Sequence, residues 1–205
     1  MPDKSHIIFE ATKMIISQGV RAVRMDDIAT DLGVSKRTLY EMFEDKESLI
    51  TECLMYYFSQ VEQKYKNLMD QAQNIIERTI VILQDLDQTI ETNIKLMDGV
   101  RKFYPKIHEE IILLRGKSRN VEELRRHIQC GIDEGIFLPH INAELATAVF
   151  SNSLYGLVLN MEGFEKRNIV PAQAFKYIIT YFFRGISTEK GIRMMDEYIH
   201  KKENK

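Results

Sequence analysis

The sequence predicts an all-α protein with a helix-turn-helix near its N-terminus, and three observations carry that reading. Apolar residues recur at threes, fours and sevens along nearly the whole chain, the repeat that places them on one face of a helix. No stretch shows the strict alternation or tight-turn dipeptides of a strand pair. Ala29, Gly33 and Leu39 lie at the spacing by which a small residue, a corner glycine and an aliphatic filler build two short crossed helices.

Taken in order, Ser5 to Gln18 forms a first helix with Ile8, Ala11 and Ile15 on one face, and Gly19 ends it. Val20 and Val23 lead into Met25–Lys46. In that stretch Ile28, Ala29 and Leu32 share one apolar face of a short helix. Gly33 makes the reversal at positive φ, which glycine alone adopts without a Cβ penalty. Ser35 caps the next helix with its hydroxyl. This second helix turns Leu39, Met42 and Phe43 inward and Lys36, Arg37, Thr38 and Tyr40 outward. The core of the motif is thus Ile28, Ala29, Gly33, Leu39 and Phe43. Asp45 caps a long fourth helix, in which Leu49, Ile50, Cys53, Leu54, Tyr57 and Val61 keep helical spacing to about Met69. Its length makes it a mechanical link between the first bundle and the remainder.

Residues 74–97 repeat Ile76, Ile80, Leu83, Ile90, Ile94 and Met97, and Gly99 with Pro105 interrupts the pattern around Val100–Tyr104. Further helices are expected at about Pro105–Arg115 and Val121–Glu134, the latter ended by Gly135. Phe137-Leu138-Pro139 reads as a turn. Asn142 caps an apolar helix from Ala143 to Met161, with Leu145, Val149, Leu154, Leu157 and Val158 on its face. Pro171 opens another, carrying Phe175, Ile178, Ile179, Phe182 and Phe183. A last amphipathic helix, about Lys190–Lys202, carries Ile192, Met195 and Ile199.

Composition bounds the function. The 205 residues are 44% hydrophobic and 28% charged, an ordinary globular balance. Four prolines and ten glycines leave little room for linkers. No apolar run approaches the roughly 20 residues of a membrane span, and no signal peptide opens the chain, so the expected place is the cytoplasm with no membrane partner. Cys53 and Cys130 sit far apart in helical patterns and read as buried free thiols. Enzyme signatures are missing. His108-Glu109-Glu110 lacks the second histidine of a zinc helix, and there is no phosphate loop, nucleophile elbow or dinucleotide fingerprint, so no metal or cofactor is expected. Residues 1–48 hold seven Lys and Arg against nine Asp and Glu, a net charge of −2. A basic domain is the usual footprint of nucleic-acid binding, so binding here must rest on a few placed groups.

The run A-x-x-x-G-V-S-x-x-x-L-Y-x-x-F-x-x-K-E-x-L, Ala29 to Leu49, resembles the bacterial TetR family of transcriptional regulators, and the detailed likeness covers about residues 8–50. The resemblance implies a DNA-binding helix-turn-helix domain over residues 1–47 and a helical effector-binding and dimerisation domain over residues 48–205. It also implies a homodimer on a palindromic double-stranded operator, acting as a repressor and released by a small molecule. The second helix of the motif enters the major groove N-terminus first, so Ser35, Lys36, Arg37 and Thr38 face the DNA. Lys36 and Arg37 become candidates for base edges or phosphates, while Tyr40 and Lys46 match the family's phosphate contacts. Arg24 stands where the family often has Ser or Thr; it could reach a phosphate but cannot cap the helix with a side-chain oxygen. Candidate pocket residues are Tyr57, Met97, Phe103, Tyr104, Phe150 and Tyr155, and adaptable Met and aromatic linings suit a hydrophobic or planar effector. Candidate interface residues on the two late apolar helices are Phe150, Leu154, Leu157, Ile178 and Phe182. The competing reading is a helical small-molecule-binding or scaffolding protein that never touches DNA, and it predicts no salt-sensitive duplex binding.

Overall fold

A computed structural model describes residues 3–116, 120–159, 163–164 and 166–203, and every regular element among them is an α-helix. The helices are α1 Lys4–Gln18, α2 Met25–Asp31, α3 Lys36–Met42, α4 Lys46–Asp70, α5 Ile75–Phe103, α6 Pro105–Gly116, α7 Asn120–Asp133, α8 Ala143–Leu159, α9 Pro171–Ile186 and α10 Glu189–Glu203. Several start on side-chain caps, three of which (Ser35, Asp45 and Asn142) the sequence announces. Asp3 accepts from the His6 amide at 2.8 Å, Ser35 from Thr38 at 3.0 Å, Asp45 from Ser48 at 2.7 Å and Asn142 from Leu145 at 3.0 Å. Each cap satisfies one of the amides that a helix N-terminus leaves unpaired.

Two compact units make up the chain, Met1–Lys64 with Thr92–Lys117 and Tyr65–Glu91 with Ser118–Lys205. In the first unit, Ile7, Ala11 and Ile15 of α1, Ile28 and Ala29 of α2, Leu39 of α3 and Leu49, Ile50 and Leu54 of α4 close into one core. Met97 and Val100 of α5 and Ile107 and Ile111 of α6 join it. Fully burying an aliphatic or aromatic side chain of this size is worth about 1.5–3 kcal/mol, so Ile7, Leu39, Phe43 and Ile50, all at 1% exposure or less, anchor the three short helices that could not hold alone. Cys53 lies in this core, and burial pushes its thiol up to about 12.

The second unit packs α8 against α7 and α9. Phe150 of α8 meets Phe182 and Phe183 of α9 with ring centroids 4.8 and 5.3 Å apart, and Phe137 stacks on Phe183 at 5.9 Å. Phe137 lies in a segment expected as a simple turn, yet it is fully buried and forms an isolated antiparallel bridge with Ser187. Backbone bonds Leu138 N to Ile186 O and Thr188 N to Ile136 O, both 2.9 Å, pin the two segments together. Gly131 of α7 makes this possible, because a Cβ there would stand 2.6 Å from the Phe137 ring.

Four other expectations need correction. Gly99 does not break its helix: α5 runs on to Phe103, and the missing side chain admits Val20, whose Cγ2 would lie 3.3 Å from a Cβ at position 99. Phe43 is the C-cap of α3 rather than a residue within it. Cys130 is exposed rather than buried. On α8, Leu145 and Val149 were expected on the packed face but are 64% and 50% exposed; the buried stripe is Ala143, Ala146, Thr147, Phe150 and Leu157. Apolar residues surround this helix, so periodicity alone does not choose its inward side. Met161, the expected end of that helix, lies outside the described residues.

At the motif corner, Gly33 has φ +64°. Val34 N bonds Ala29 O at 3.0 Å and Gly33 N bonds Thr30 O at 3.3 Å, the paired bonds of a left-handed glycine cap. A Cβ at Gly33 would meet no atom within 4 Å, so any cost of substitution is purely conformational. Gly33→Ala is expected to lower unfolding free energy by about 1–2 kcal/mol and Gly33→Asn by less, as read from urea denaturation midpoints.

Candidate nucleic-acid interface

The candidate face is built from the turn outward. The glycine cap sends the chain from α2 into α3, and Ala29, 6% exposed, allows the close crossing that Leu39 fills. With that side committed to the core, α3 presents Lys36, Arg37 and Tyr40 to solvent; Arg37 is 88% and Tyr40 45% exposed. Thr38, expected to face outward, is instead 8% exposed. Its hydroxyl lies 2.8 Å from Ser35 Oγ, so the pair closes the first turn of α3 and Ser35 keeps the more accessible edge.

The face is not a bare patch of positive charge. Lys36 Nζ lies 2.8 Å from Asp26 Oδ1, and the hydrogen bond and charge of Asp26 raise the lysine's pKa. Arg37 Nε donates to Glu41 Oε1 at 2.7 Å, one turn along α3. From the sequence Asp26 reads only as a first-turn acid favoured by the helix dipole, and neither pairing was expected, although the four-residue spacing of Arg37 and Glu41 is itself a pairing signal. The Asp26–Lys36 contact had no such signal, because it depends on how α2 and α3 cross.

Arg24 occupies the N-cap position of α2 without a side-chain cap bond. The helix start is closed from the other direction: Asp27 Oδ2 accepts the Arg24 amide at 3.0 Å, which leaves the arginine side chain exposed. Lys46 is the first residue of α4. Its ammonium sits over the Tyr104 ring, 5.7 Å from the centroid, a cation–π distance. The amides behind it are partly spoken for, since Asp45 takes both the backbone N–H and the hydroxyl of Ser48.

The candidate pocket residues do not share one environment. Tyr57 and Tyr104 pack against the first unit's core, in which Met97 is buried. Phe103 is exposed, with the Arg21 guanidinium 5.0 Å and the Lys102 ammonium 5.6 Å from its ring centre. Phe150 is buried in the second unit and Tyr155 is exposed on α8. Of the interface candidates, Phe150 and Leu157 are spent inside the second unit, while Leu154, Ile178 and Phe182 are half-buried. Among the described residues, no group of three or more His, Cys, Asp or Glu is placed to hold a metal ion, and no helix is long and apolar enough to cross a membrane.

Residues 7–53 match the family profile described as bacterial regulatory proteins, tetR family, and those residues contain the whole helix-turn-helix. Those residues form a TetR-family helix-turn-helix domain. The chain is 22% identical over 194 residues to an uncharacterized HTH-type transcriptional regulator, YvaF, of Bacillus subtilis, covering 90% of this chain and 95% of that one. It is 25% identical over 142 residues to the HTH-type transcriptional repressor KstR2 of Mycobacterium tuberculosis, covering 66% and 69% of the two chains. The solved structure of a regulator from Saccharomonospora viridis in complex with choline superposes with a TM-score of 0.64 at 18% identity, over 89% of this chain and 96% of that one. The last likeness is one of fold. Helix-turn-helix DNA binding in transcription regulation is thus the function of this chain.

Asp45 ties the start of α4 to acidity. Its hydrogen bonds to Ser48 hold its pKa below the ordinary 3.8, so the stability it contributes is present above that value and is lost as pH falls through the lowered one. Asp45→Ala is expected to melt below the wild type at neutral pH, with the gap closing on acidification below 3.8; thermal scans across pH 2 to 7, roughly the span of carboxylate titration, check it.

Proposed function

We propose that this regulator represses transcription as a homodimer on a palindromic operator and leaves the DNA when a small molecule binds. The division of labour in this reading is DNA contact by residues 1–47 and effector binding and dimerisation by residues 48–205. The exposed run Lys36, Arg37 and Tyr40 on α3, with Lys46 at the next helix start, is the observation that carries it. A helix presented this way enters the major groove with its first turn against base edges, and two such heads at one helical-turn spacing require a two-fold partner. Support for the dimer comes from α8 and α9, which expose Leu145, Val149, Tyr177 and Tyr181; the two tyrosines stack with centroids 5.2 Å apart. Support for repression is the likeness to the transcriptional repressor KstR2, and support for a small effector is the choline held by the S. viridis regulator.

The roles separate by sequence dependence. Arg37 is assigned to a base edge, Tyr40 and Lys46 to phosphates, Ser35 and Thr38 to the closed first turn that positions them, and Arg24 to an outlying phosphate. The test is a fluorescence-anisotropy titration against DNA upstream of the coding region at several salt concentrations. Sites no tighter than nonspecific binding throughout that DNA would sink the reading.

Arg37→Ala is expected to cost about 1–3 kcal/mol on the operator and to relax one base position. Lys46→Ala should weaken all duplexes alike and reduce the salt slope by about 1 per contacted site. In sedimentation at micromolar protein the mass should be twice the 24.0 kDa chain. Val149→Asp should return it to one chain without loss of helical signal.

A further inference from the structure

Both cations that α3 offers to a base edge are already held by a carboxylate. Lys36 is held across the motif by Asp26 of α2 at 2.8 Å, and Arg37 along its own helix by Glu41 at 2.7 Å. All four side chains are more than half exposed, and such surface pairs contribute little to stability. Their consequence lies in what the cations can be exchanged for. An uncommitted cation binds any phosphate it meets, and phosphate contacts carry no sequence information. When a cation leaves its acid, the O6 and N7 acceptors of guanine replace the lost hydrogen bonds without adding charge, whereas a phosphate brings a negative charge up against the displaced carboxylate. The released acid then faces the DNA backbone and opposes it, an effect that salt screens.

We propose that Asp26 and Glu41 are specificity-determining residues, each holding a reading cation against phosphate-only binding so that the head stays on DNA only where a base edge takes the acid's place. This rests on the reading of α3 as the DNA-reading helix. It gives the acidic balance of residues 1–48 a use: two of those acids sit at the contact face itself.

The test compares the wild type with Asp26→Asn and Glu41→Gln on two duplexes, one enriched by the wild-type protein from a randomised pool and one shuffled from it. Each variant should bind the shuffled duplex roughly 3- to 10-fold more tightly at low salt, with the gain fading as salt rises, and the enriched-to-shuffled affinity ratio should fall by at least as much. Asp31→Asn, at the exposed far end of α2, removes the same charge and should leave the ratio unchanged; thermal unfolding should be that of the wild type in all three. An unchanged ratio in both paired variants overturns the proposal, as does an equal drop in Asp31→Asn, which would make net charge the cause. Equal weakening on both duplexes with a lowered melting temperature would make the acids structural and overturns it too. If the wild type enriches no sequence from the pool, the DNA-reading assignment itself fails, and the two failures are told apart by that first step.

Discussion

The backbone bond from Val34 to Ala29, made possible by the left-handed Gly33, is the constraint from which the reading head follows. It ends α2 and starts α3 within four residues, so neither seven-residue helix chooses its direction independently. Ala29 and Leu39 then occupy the angle between them, and Phe43 and Ile50 seal its base. Once that crossing is set, the outward side of α3 is determined by exclusion. Leu39 takes the inward side, Thr38 is drawn under by Ser35, and Lys36, Arg37 and Tyr40 remain. The same crossing brings Asp26 beside Lys36, so the electrostatics of the face are a product of the corner.

A head of net charge −2 binding a polyanion looks contradictory only if charge is counted rather than placed. Asp27 and Asp45 are consumed at helix starts, where the macrodipole and the open amides favour them. Lys4 is used against Glu52 at 2.7 Å. What remains near the reading face is a small set of groups with defined neighbours: Lys36 with Asp26, Arg37 with Glu41, Lys46 with Tyr104. Nonspecific attraction supplies most of the affinity of many DNA-binding proteins; here little of it is available, and affinity must come from contacts that fit.

Local chemistry was legible in the sequence. Asp3 aside, the caps at Ser35, Asp45 and Asn142 and the turn at Gly33 were each readable from a residue and its immediate neighbours, and each is in place. What could not be read depended on a partner far along the chain. Gly99 looks like a helix breaker until Val20 is seen against it, and Phe137 looks like a turn residue until Ser187 pairs with it. Leu145 and Val149 matched a helical face, but α8 is apolar all round, and the aromatic rings of α9 selected the opposite side. For the candidate site, the exposure of Lys36, Arg37 and Tyr40 was legible through the motif spacing, whereas the pairing of Lys36 and Arg37 with acids was not. Arg37 and Glu41 share one helix, but Asp26 and Lys36 meet only through the crossing angle.

Lys46 opens a helix that runs without interruption to Asp70. At 1.5 Å per residue its 25 residues span about 37 Å. Asp45 caps its first turn through the Ser48 amide and hydroxyl. A rotation of α4 by about 5° around its far end would carry that first turn roughly 3 Å, more than a hydrogen bond's tolerance in length. Such a displacement is comparable to the rise between successive DNA base pairs, about 3.4 Å. Under the proposed assignment of Lys46 to a phosphate, a small rotation of α4 amounts to a whole step of misregister along the duplex.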